Sequence, residues 1–340
     1  MQQMTTFKPT VLVAGGAGFI GSHLCEALLY RGHRVICVDS FLSGLRENVL
    51  PLTNHPGFTL IEADVTQPLT IGGPVEQVYN LACAASPPQY QADPVHTMMT
   101  NVLGCGNLLD LAEAKGARYL QASTSEVYGD PLAHPQTEDY WGNVNCTGPR
   151  ACYDEGKRAA ETMCFDYLRQ GRVDVRVARI FNTYGPQMRP DDGRIISNLI
   201  CQALQDKPMT VYGDGTQTRS FCYVSDLVRG LMALMNVAET PEGAVNLGNP
   251  GEFSILELVD IIRDRLPGVA QPVFMALPTD DPQRRQPDIT RARTLLGWQP
   301  KVPLDEGLGL TIPWFAAQVQ VSPAPVPVRT GRVAASSLAR

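Results

Sequence analysis

Tyr153 and Lys157 stand four residues apart in the string Tyr153-Asp-Glu-Gly-Lys157, a spacing that puts both side chains on one face of a helix. An ammonium beside a phenol favours the phenolate, and a phenolate can take the proton of a substrate hydroxyl near neutral pH. Such a pair by itself is a common neighbour on helix surfaces. It gains weight from Ser123-Thr124-Ser125-Glu126-Val127-Tyr128-Gly129 upstream, which closes an apolar run that reads as a strand, the place where an open parallel sheet gathers its ligands. There Thr124 can donate a hydrogen bond to the reacting oxygen, and Glu126 can act as acid or base or steer a water. Thr124 and Ser125 are also residue types that cap turns.

A second cluster binds rather than reacts. Gly15-Gly16-Ala17-Gly18-Phe19-Ile20-Gly21 fits G-x-x-G-x-x-G and, through Gly16, Gly18 and Gly21, also G-x-G-x-x-G. Glycines so spaced permit a tight turn and let backbone N–H groups approach a pyrophosphate at the positive end of the following helix. Asp39 ends the next apolar run, 18 residues beyond Gly21. A carboxylate there accepts hydrogen bonds from a ribose 2′-hydroxyl and repels a 2′-phosphate, so the pattern selects NAD over NADP. An oxidised nicotinamide near Tyr153 would favour its phenolate further. Asp64-Val65 follows a third strand and can meet the adenine edge, or Asp64 can be a solvated turn residue.

Apolar runs at residues 10–14, 35–38, 59–61, 77–81, 119–122 and 173–180 read as strands, and residues 22–31, 94–115 and 153–170 as helices between them. This alternation predicts an α/β fold, a Rossmann-type doubly wound parallel sheet with a smaller C-terminal α/β substrate lobe. The expected organisation is a disordered N-terminus over residues 1–9, a dinucleotide-binding domain over 10–180, and a lobe over 181–316 with some segments returning to the sheet. Helical patterns at 195–205, 224–236 and 255–266 punctuate that lobe, and the Pro/Ala/Ser-rich tail 317–340 reads as disordered.

The 340 residues carry 28 Lys and Arg against 34 Asp and Glu, a formal net charge of −6. That balance argues against a nucleic-acid or anionic-membrane binder. No apolar run approaches the length of a membrane span, and the first residues lack the apolar core of a secretory leader. Nine cysteines without a C-x-x-C spacing and only five histidines read as buried, reduced thiols in a cytoplasmic protein with no metal site.

Together the glycine loop, Asp39, the Thr124 segment and the Tyr153/Lys157 pair resemble the extended short-chain dehydrogenase/reductases, the NAD-dependent epimerase/dehydratase family. Longer strings narrow the likeness to the UDP-glucuronate decarboxylases (UDP-xylose synthases). These include Glu138-Asp-Tyr-Trp-Gly-Asn-Val-Asn145, Ala178-Arg-Ile-Phe-Asn-Thr-Tyr-Gly-Pro186, Gln217-Thr-Arg-Ser-Phe-Cys-Tyr-Val-Ser-Asp226 and Asp280-Asp-Pro-Gln-Arg-Arg-Gln-Pro-Asp288. The likeness runs from about Val11 to Trp298.

The resemblance implies oxidation of UDP-glucuronate at C4 with Tyr153 as base, loss of carbon dioxide from the resulting β-keto acid, reprotonation helped by Glu126 or a water near Ser125, and hydride return to give UDP-xylose. It implies that Arg285 orients the sugar or its carboxylate and that Arg219 meets the diphosphate, with Asn182, Tyr212, Gln217, Asn107, Tyr167 and Gln170 around the nucleotide sugar. To Gly15, Gly18, Asp39, Asp64, Val65, Tyr153 and Lys157 it adds Phe19, Ile20, Ser40, Phe41, Gly44, Leu81, Ala82, Thr100, Thr183 and Arg194 as NAD contacts. It implies a homodimer packed through helices near 94–115 and 152–170, with Leu108, Leu111, Met163 and Tyr167 as candidates for that face.

Three positions depart from the pattern. Met99 stands where the decarboxylases usually carry lysine, Ala84 where they carry proline, and Cys146-Thr147 where they read Pro-x. All three are expected around the sugar pocket. They keep open a nucleotide-sugar 4-epimerase on the same fold. A 4,6-dehydratase is disfavoured, because dehydratases pair Asp with Glu where this chain has Ser125-Glu126. A non-catalytic NAD or nucleotide sensor has no physical need for Thr124, Glu126, Tyr153 and Lys157 together.

Replacing Asp39 by Ala removes the ribose acceptor. NAD affinity measured by titration should fall by about 1–3 kcal/mol, and equal affinity in both proteins would refute the assignment.

Overall fold

The computed structural model describes residues 8–277 and 284–321, with the side chains of the last two left out. Six strands follow in chain order: β1 (Lys8–Ala14), β2 (His33–Asp39), β3 (Phe58–Glu62), β4 (Gln77–Asn80), β5 (Arg118–Thr124) and β6 (Val175–Ile180). With strand Val245–Leu247 they form one seven-stranded sheet in the order Val245–Leu247, β6, β5, β4, β1, β2, β3, and every pairing is parallel. The strands are short β-branched runs such as Val11-Leu12-Val13, fully buried, as a sheet covered on both faces requires.

One face is covered by helix α1 (Phe19–Tyr30) and helix Val224–Asn236, whose Leu24, Leu28, Leu227 and Leu231 share one core. Helices Cys105–Lys115 and Ala151–Arg169 cover the other through Leu108, Leu109, Ala160 and Cys164. The direction of winding reverses between β1 and β4, and the crevice at such a reversal lies beyond the carboxyl ends of the strands. The glycine loop follows β1 and the Thr124 segment ends β5, so topology brings both to that crevice.

The small lobe is built from short pieces. Strand Thr218–Ser220 pairs with Glu252–Ser254 and Arg284–Arg285, and Thr210–Tyr212 pairs with Val273–Met275. Helices Ile195–Leu204, Ile255–Arg265 and Leu304–Val321 pack on them. Among the described residues no helix is long and apolar enough to cross a membrane.

Several boundaries differ from the sequence reading. β1 begins at Lys8, inside the stretch expected to be disordered, and the last helix runs through 317–321, expected as tail. Residues 1–7 and 322–340 lie outside the described residues. The sequence reading gave no helix at Leu304–Val321, because Gly307, Gly309 and Pro313 mask it. Leu304, Leu308, Ile312 and Phe315 nevertheless recur at helical spacing and are buried. Tertiary burial overrides weak local propensity there.

Residues 94–115, expected as one helix, divide into Pro94–Met99, a π-turn at Thr100–Gly104 and Cys105–Lys115. The extra residue of a π-turn re-aims one side chain. Here Asn101 turns inward, donating to Thr97 O at 3.0 Å and to Cys83 Sγ at 3.2 Å. It leaves space only for glycine opposite, since a Cβ on Gly156 would lie 2.9 Å from Asn101 Nδ2.

Helix Ala151–Arg169 is tied to the sheet by a buried charge. Glu161 accepts from Ser123 Oγ at 2.5 Å and from Arg179 Nε and Nη2 at 3.0 and 2.8 Å. Arg179 also donates to Tyr128 Oη and Glu138 O, both at 3.0 Å. Replacing Glu161 by Ala leaves Arg179 buried without its counter-charge and should cost about 3–5 kcal/mol of stability. Chemical denaturation reads this directly, and a loss below about 1 kcal/mol would mean that water replaces the carboxylate.

Candidate active site

A cleft of about 510 Å³ opens between the carboxyl ends of the strands and the small lobe. Of the residues expected to hold NAD, Gly15, Gly18, Phe19, Ile20, Leu81, Tyr153, Lys157, Thr183 and Arg194 line it. Gly15 has φ +75°, and a Cβ there would lie 2.7 Å from the Leu81 carbonyl. At Gly21 a Cβ would lie 2.1 Å from Gly15 O, so only glycine lets α1 start this close to the loop. That bare backbone at a helix N-terminus fits a pyrophosphate.

Asp39 lies at the carboxyl end of β2. Its Oδ2 accepts from Ala17 N at 2.9 Å and its Oδ1 from Phe41 N at 2.8 Å. Burial pushes the carboxyl up, and the N–H groups of Phe41, Ala17 and Gly18 pull it back. Gly44 packs on it closely, since a Cβ there would lie 2.7 Å from Oδ1. Asp39, Ser40, Phe41, Gly44, Asp64, Val65 and Ala82 all end or follow β2, β3 or β4 and lie outside the walls of the cleft. Asp64 Oδ1 accepts from Thr66 N at 2.8 Å, the turn role that was its alternative reading. Val65 is buried against Gly104. Thr100 is also buried and donates to His96 O at 2.8 Å within its own helix.

Thr124, Ser125, Glu126, Tyr153, Lys157 and Arg285 converge on the cleft. Thr124 caps the turn after β5, its Oγ1 accepting from Glu126 N at 3.2 Å, and its hydroxyl pulls the Tyr153 phenol down. Lys157 Nζ donates to Ala122 O at 2.9 Å and lies 5.8 Å from the Tyr153 ring centroid. The expectation that lysine tips Tyr153 toward phenolate is corrected for the protein alone. Burial is the largest effect and pushes the phenol well up, Cys83 and Glu126 add to it, and Thr124 and Arg194 oppose it.

Glu126 and Arg285 meet in a bidentate pair, with Nη2 and Oε2 3.0 Å apart. Arg150 adds a contact from Nη2 to Glu126 Oε2 at 2.5 Å. Burial pushes Glu126 up, yet Arg285, Arg150 and Arg219 together hold it below the usual carboxylate range. In the protein alone, the Arg285 guanidinium expected on the sugar carboxylate is therefore engaged by Glu126 instead.

Asn182, Tyr212, Gln217 and Arg219 line the lobe side of the cleft. Gln217 Nε2 donates to Tyr212 O at 2.6 Å and Arg219 Nη1 to Thr218 O at 2.8 Å. Asn107, Tyr167 and Gln170, also expected around the nucleotide sugar, are not among the residues that line the cleft. Asn107 donates to Val65 O at 2.8 Å, and Tyr167 Oη donates to Asp110 Oδ1 at 2.6 Å. Tyr167 and Gln170 sit at the far end of the Tyr153 helix; 14 residues separate Tyr153 from Tyr167, about 21 Å at 1.5 Å per residue.

Met99 is also outside the cleft. It is 40% exposed, in line with Val95 at 68% and Leu103 at 50%. Leu108 and Leu111, expected on a subunit face, are buried in the core of the chain itself. Ala84 packs against Tyr90 and Tyr153, and Cys146 is exposed.

Sequence reasoning missed Tyr90, Arg150 and Asp154. Tyr90 stacks on Tyr153 with centroids 5.1 Å apart and planes 6° from parallel. Asp154 is 7% exposed, and its Oδ1 is buried with no hydrogen-bond partner among the described residues. Its only sequence signal was a carboxylate directly after the tyrosine.

Residues 11–248 match the NAD dependent epimerase/dehydratase family. The chain is 55% identical to UDP-glucuronic acid decarboxylase 4 of Arabidopsis thaliana over 309 residues, 91% of this chain and 69% of that protein. It is 53% identical to UDP-glucuronic acid decarboxylase 1 of Xenopus tropicalis over 328 residues, 95% of this chain and 77% of that protein. Among solved structures it is similar to UDP-glucuronic acid 4-epimerase from Bacillus cereus in complex with UDP-glucuronic acid and NAD. That likeness has a TM-score of 0.81 and 29% identity, covering 91% of this chain and 99% of the other. Fold, glycine cradle and sequence agree, and the chain belongs to the NAD-dependent epimerase/dehydratase family.

Proposed function

We propose that this protein converts UDP-glucuronate to UDP-xylose and carbon dioxide, with NAD as a cofactor regenerated in each turnover. The observation that carries the reading is the identity of more than half of the aligned residues with decarboxylases of a plant and an amphibian. NAD would be held at Gly15, Gly18 and Asp39 and would supply a hydride acceptor for C4 of the sugar that can return the hydride.

Tyr153 takes the proton of the C4 hydroxyl, with the Thr124 hydroxyl pulling its phenol down and Lys157 anchored on Ala122 O behind it. The ketone so formed stands β to the C6 carboxylate, and loss of carbon dioxide moves the electron pair of the C5–C6 bond into an enolate. Glu126, ionised between its arginines, lies on the cleft wall to guide the proton that C5 then needs. Arg219 and Tyr212 receive the nucleotide diphosphate. When the substrate carboxylate enters, Arg285 is shared between it and Glu126, since a guanidinium fork serves two acceptors.

A second reading, the 4-epimerase, is favoured by the likeness to the Bacillus cereus enzyme. It shares the oxidation and differs in keeping C6. Met99, on which that reading leaned, is 40% exposed and is not among the residues that line the cleft. The exposed Val95, Met99 and Leu103 form the apolar face through which two chains pair into a homodimer. Nine free thiols suit the reducing cytoplasm.

Incubating the protein with UDP-glucuronate and NAD should release carbon dioxide and yield UDP-xylose by mass and NMR. A product of unchanged mass with inverted C4 would make it an epimerase. Tyr153→Phe should keep NAD binding and lower turnover by roughly 10²- to 10⁴-fold, and undiminished turnover would remove Tyr153 as base. Met99→Lys should leave turnover within about twofold and weaken self-association in sedimentation, because a surface charge acts on the face it occupies. A marked rise in turnover would return Met99 to the sugar site.

A further inference from the structure

Decarboxylation of a β-keto acid consumes a proton, and the proton route below holds if the protein decarboxylates UDP-glucuronate as proposed. When the C5–C6 bond breaks, its electron pair enters the C4 carbonyl as an enolate and carbon dioxide leaves. The hydroxyl proton held by Tyr153 and the C4 hydride both return to the C4 alcohol. C5 therefore needs one proton that the substrate does not supply, and every turnover draws it from solvent into a buried cleft.

Glu126 is placed to pass that proton on, but Arg285, Arg150 and Arg219 hold it as a carboxylate. It faces the enolate without a proton of its own. A second buried carboxyl, within the electrostatic reach of Glu126, is Asp154. Its backbone N–H donates to Arg150 O at 3.1 Å, which sets it one turn beyond the arginine bound to Glu126. It is 7% exposed, outside the walls of the cleft, and its Oδ1 is buried without a hydrogen-bond partner among the described residues. A buried carboxylate oxygen with no donor is costly, and a bound proton removes that cost.

We propose that Asp154 is the proton store of the site: it holds the proton that Glu126 delivers to C5 and is refilled from water between turnovers. It acts through Glu126 and is a positioning residue. The charges around it come from three elements. Glu126 follows β5, Arg285 belongs to the small lobe, and Arg150 and Glu155 flank it on its own helix. The uncharged Tyr90 and Cys152 lie within the same field. Burial, with Glu126 adding to it, pushes the Asp154 carboxyl up to about 7 against the pull of Arg150 and Arg285. The acid form thus prevails below neutrality and is lost as pH rises through 7.

The test uses the full-length protein with NAD and UDP-glucuronate, comparing the parent with Asp154→Asn and Asp154→Glu. Stopped-flow absorbance of the nicotinamide separates the first hydride transfer from the return. In Asp154→Asn the first phase should stay within about twofold and the return phase should slow roughly a hundredfold. In the parent the return phase should fall above pH 7, a limb missing from Asp154→Asn and restored in Asp154→Glu. Parental rates in both phases, or equal slowing of both with an unchanged pH profile, would overturn the proposal.

Infrared pH-difference spectra need no turnover. They should show a protonated-carboxyl band that disappears near pH 7 and is absent from Asp154→Asn. An Asp154 that titrates as an ordinary aspartate overturns the proposal whichever sugar is converted. A parent that releases no carbon dioxide sinks the decarboxylase reading, and with it the delivery step.

Discussion

Glu126 stands where three parts of the chain meet: the turn after β5, the start of helix Ala151–Arg169 through Arg150, and the small-lobe strand Arg284–Arg285 through Arg285. A carboxylate so nearly buried must be paired, because its desolvation is otherwise far too costly. Its partners are as buried as it is; Arg285 is 5% exposed. This charge cluster links the two lobes across the cleft, beside the apolar core they share. Strand Arg284–Arg285 pairs beside Thr218–Ser220, so Arg219 lies on the strand next to the one that pairs with Glu126.

The seat of the reactive tyrosine is settled by close approach rather than by charge. Helix Ala151–Arg169 comes near enough to the π-turn for Asn101 to touch Gly156. Lys157 reaches the carbonyl of Ala122 on β5, and Glu161 reaches Ser123 on the same strand. Two successive turns of one helix are thereby referenced to one strand, and Tyr153 is presented beside Thr124 at its end. Elements that carry reacting groups gain precision from such multiple anchoring.

Electrostatics in the cleft run against intuition drawn from residue types. A lysine four residues from a tyrosine suggests an acidic phenol, yet desolvation is the largest effect and pushes the Tyr153 phenol up in the protein alone. A glutamate in an active site suggests an acid, yet the guanidiniums keep Glu126 ionised. Burial, with Glu126 adding to it, pushes the Asp154 carboxyl up instead. Environments that push neighbouring carboxyls apart are how a site divides acid from base roles.

Much of this protein was legible in its residues. The glycine loop, Asp39, the Thr124 segment and Tyr153/Lys157 are local signals, and the alternation of strands and helices that carries them is a local periodicity. Both survive in a single strip of sequence because they depend on residues a few positions apart. Other features were not legible. That Arg285 binds Glu126, 159 positions away, and that Asn107, Tyr167, Gln170 and Met99 are not among the residues that line the cleft depend on how distant segments pack. The sequence by itself determined the fold class, the cofactor loop and the kinds of side chain at the site. Only the tertiary structure decided which charges share a proton and which lose water, since desolvation and pairing are properties of contacts between elements.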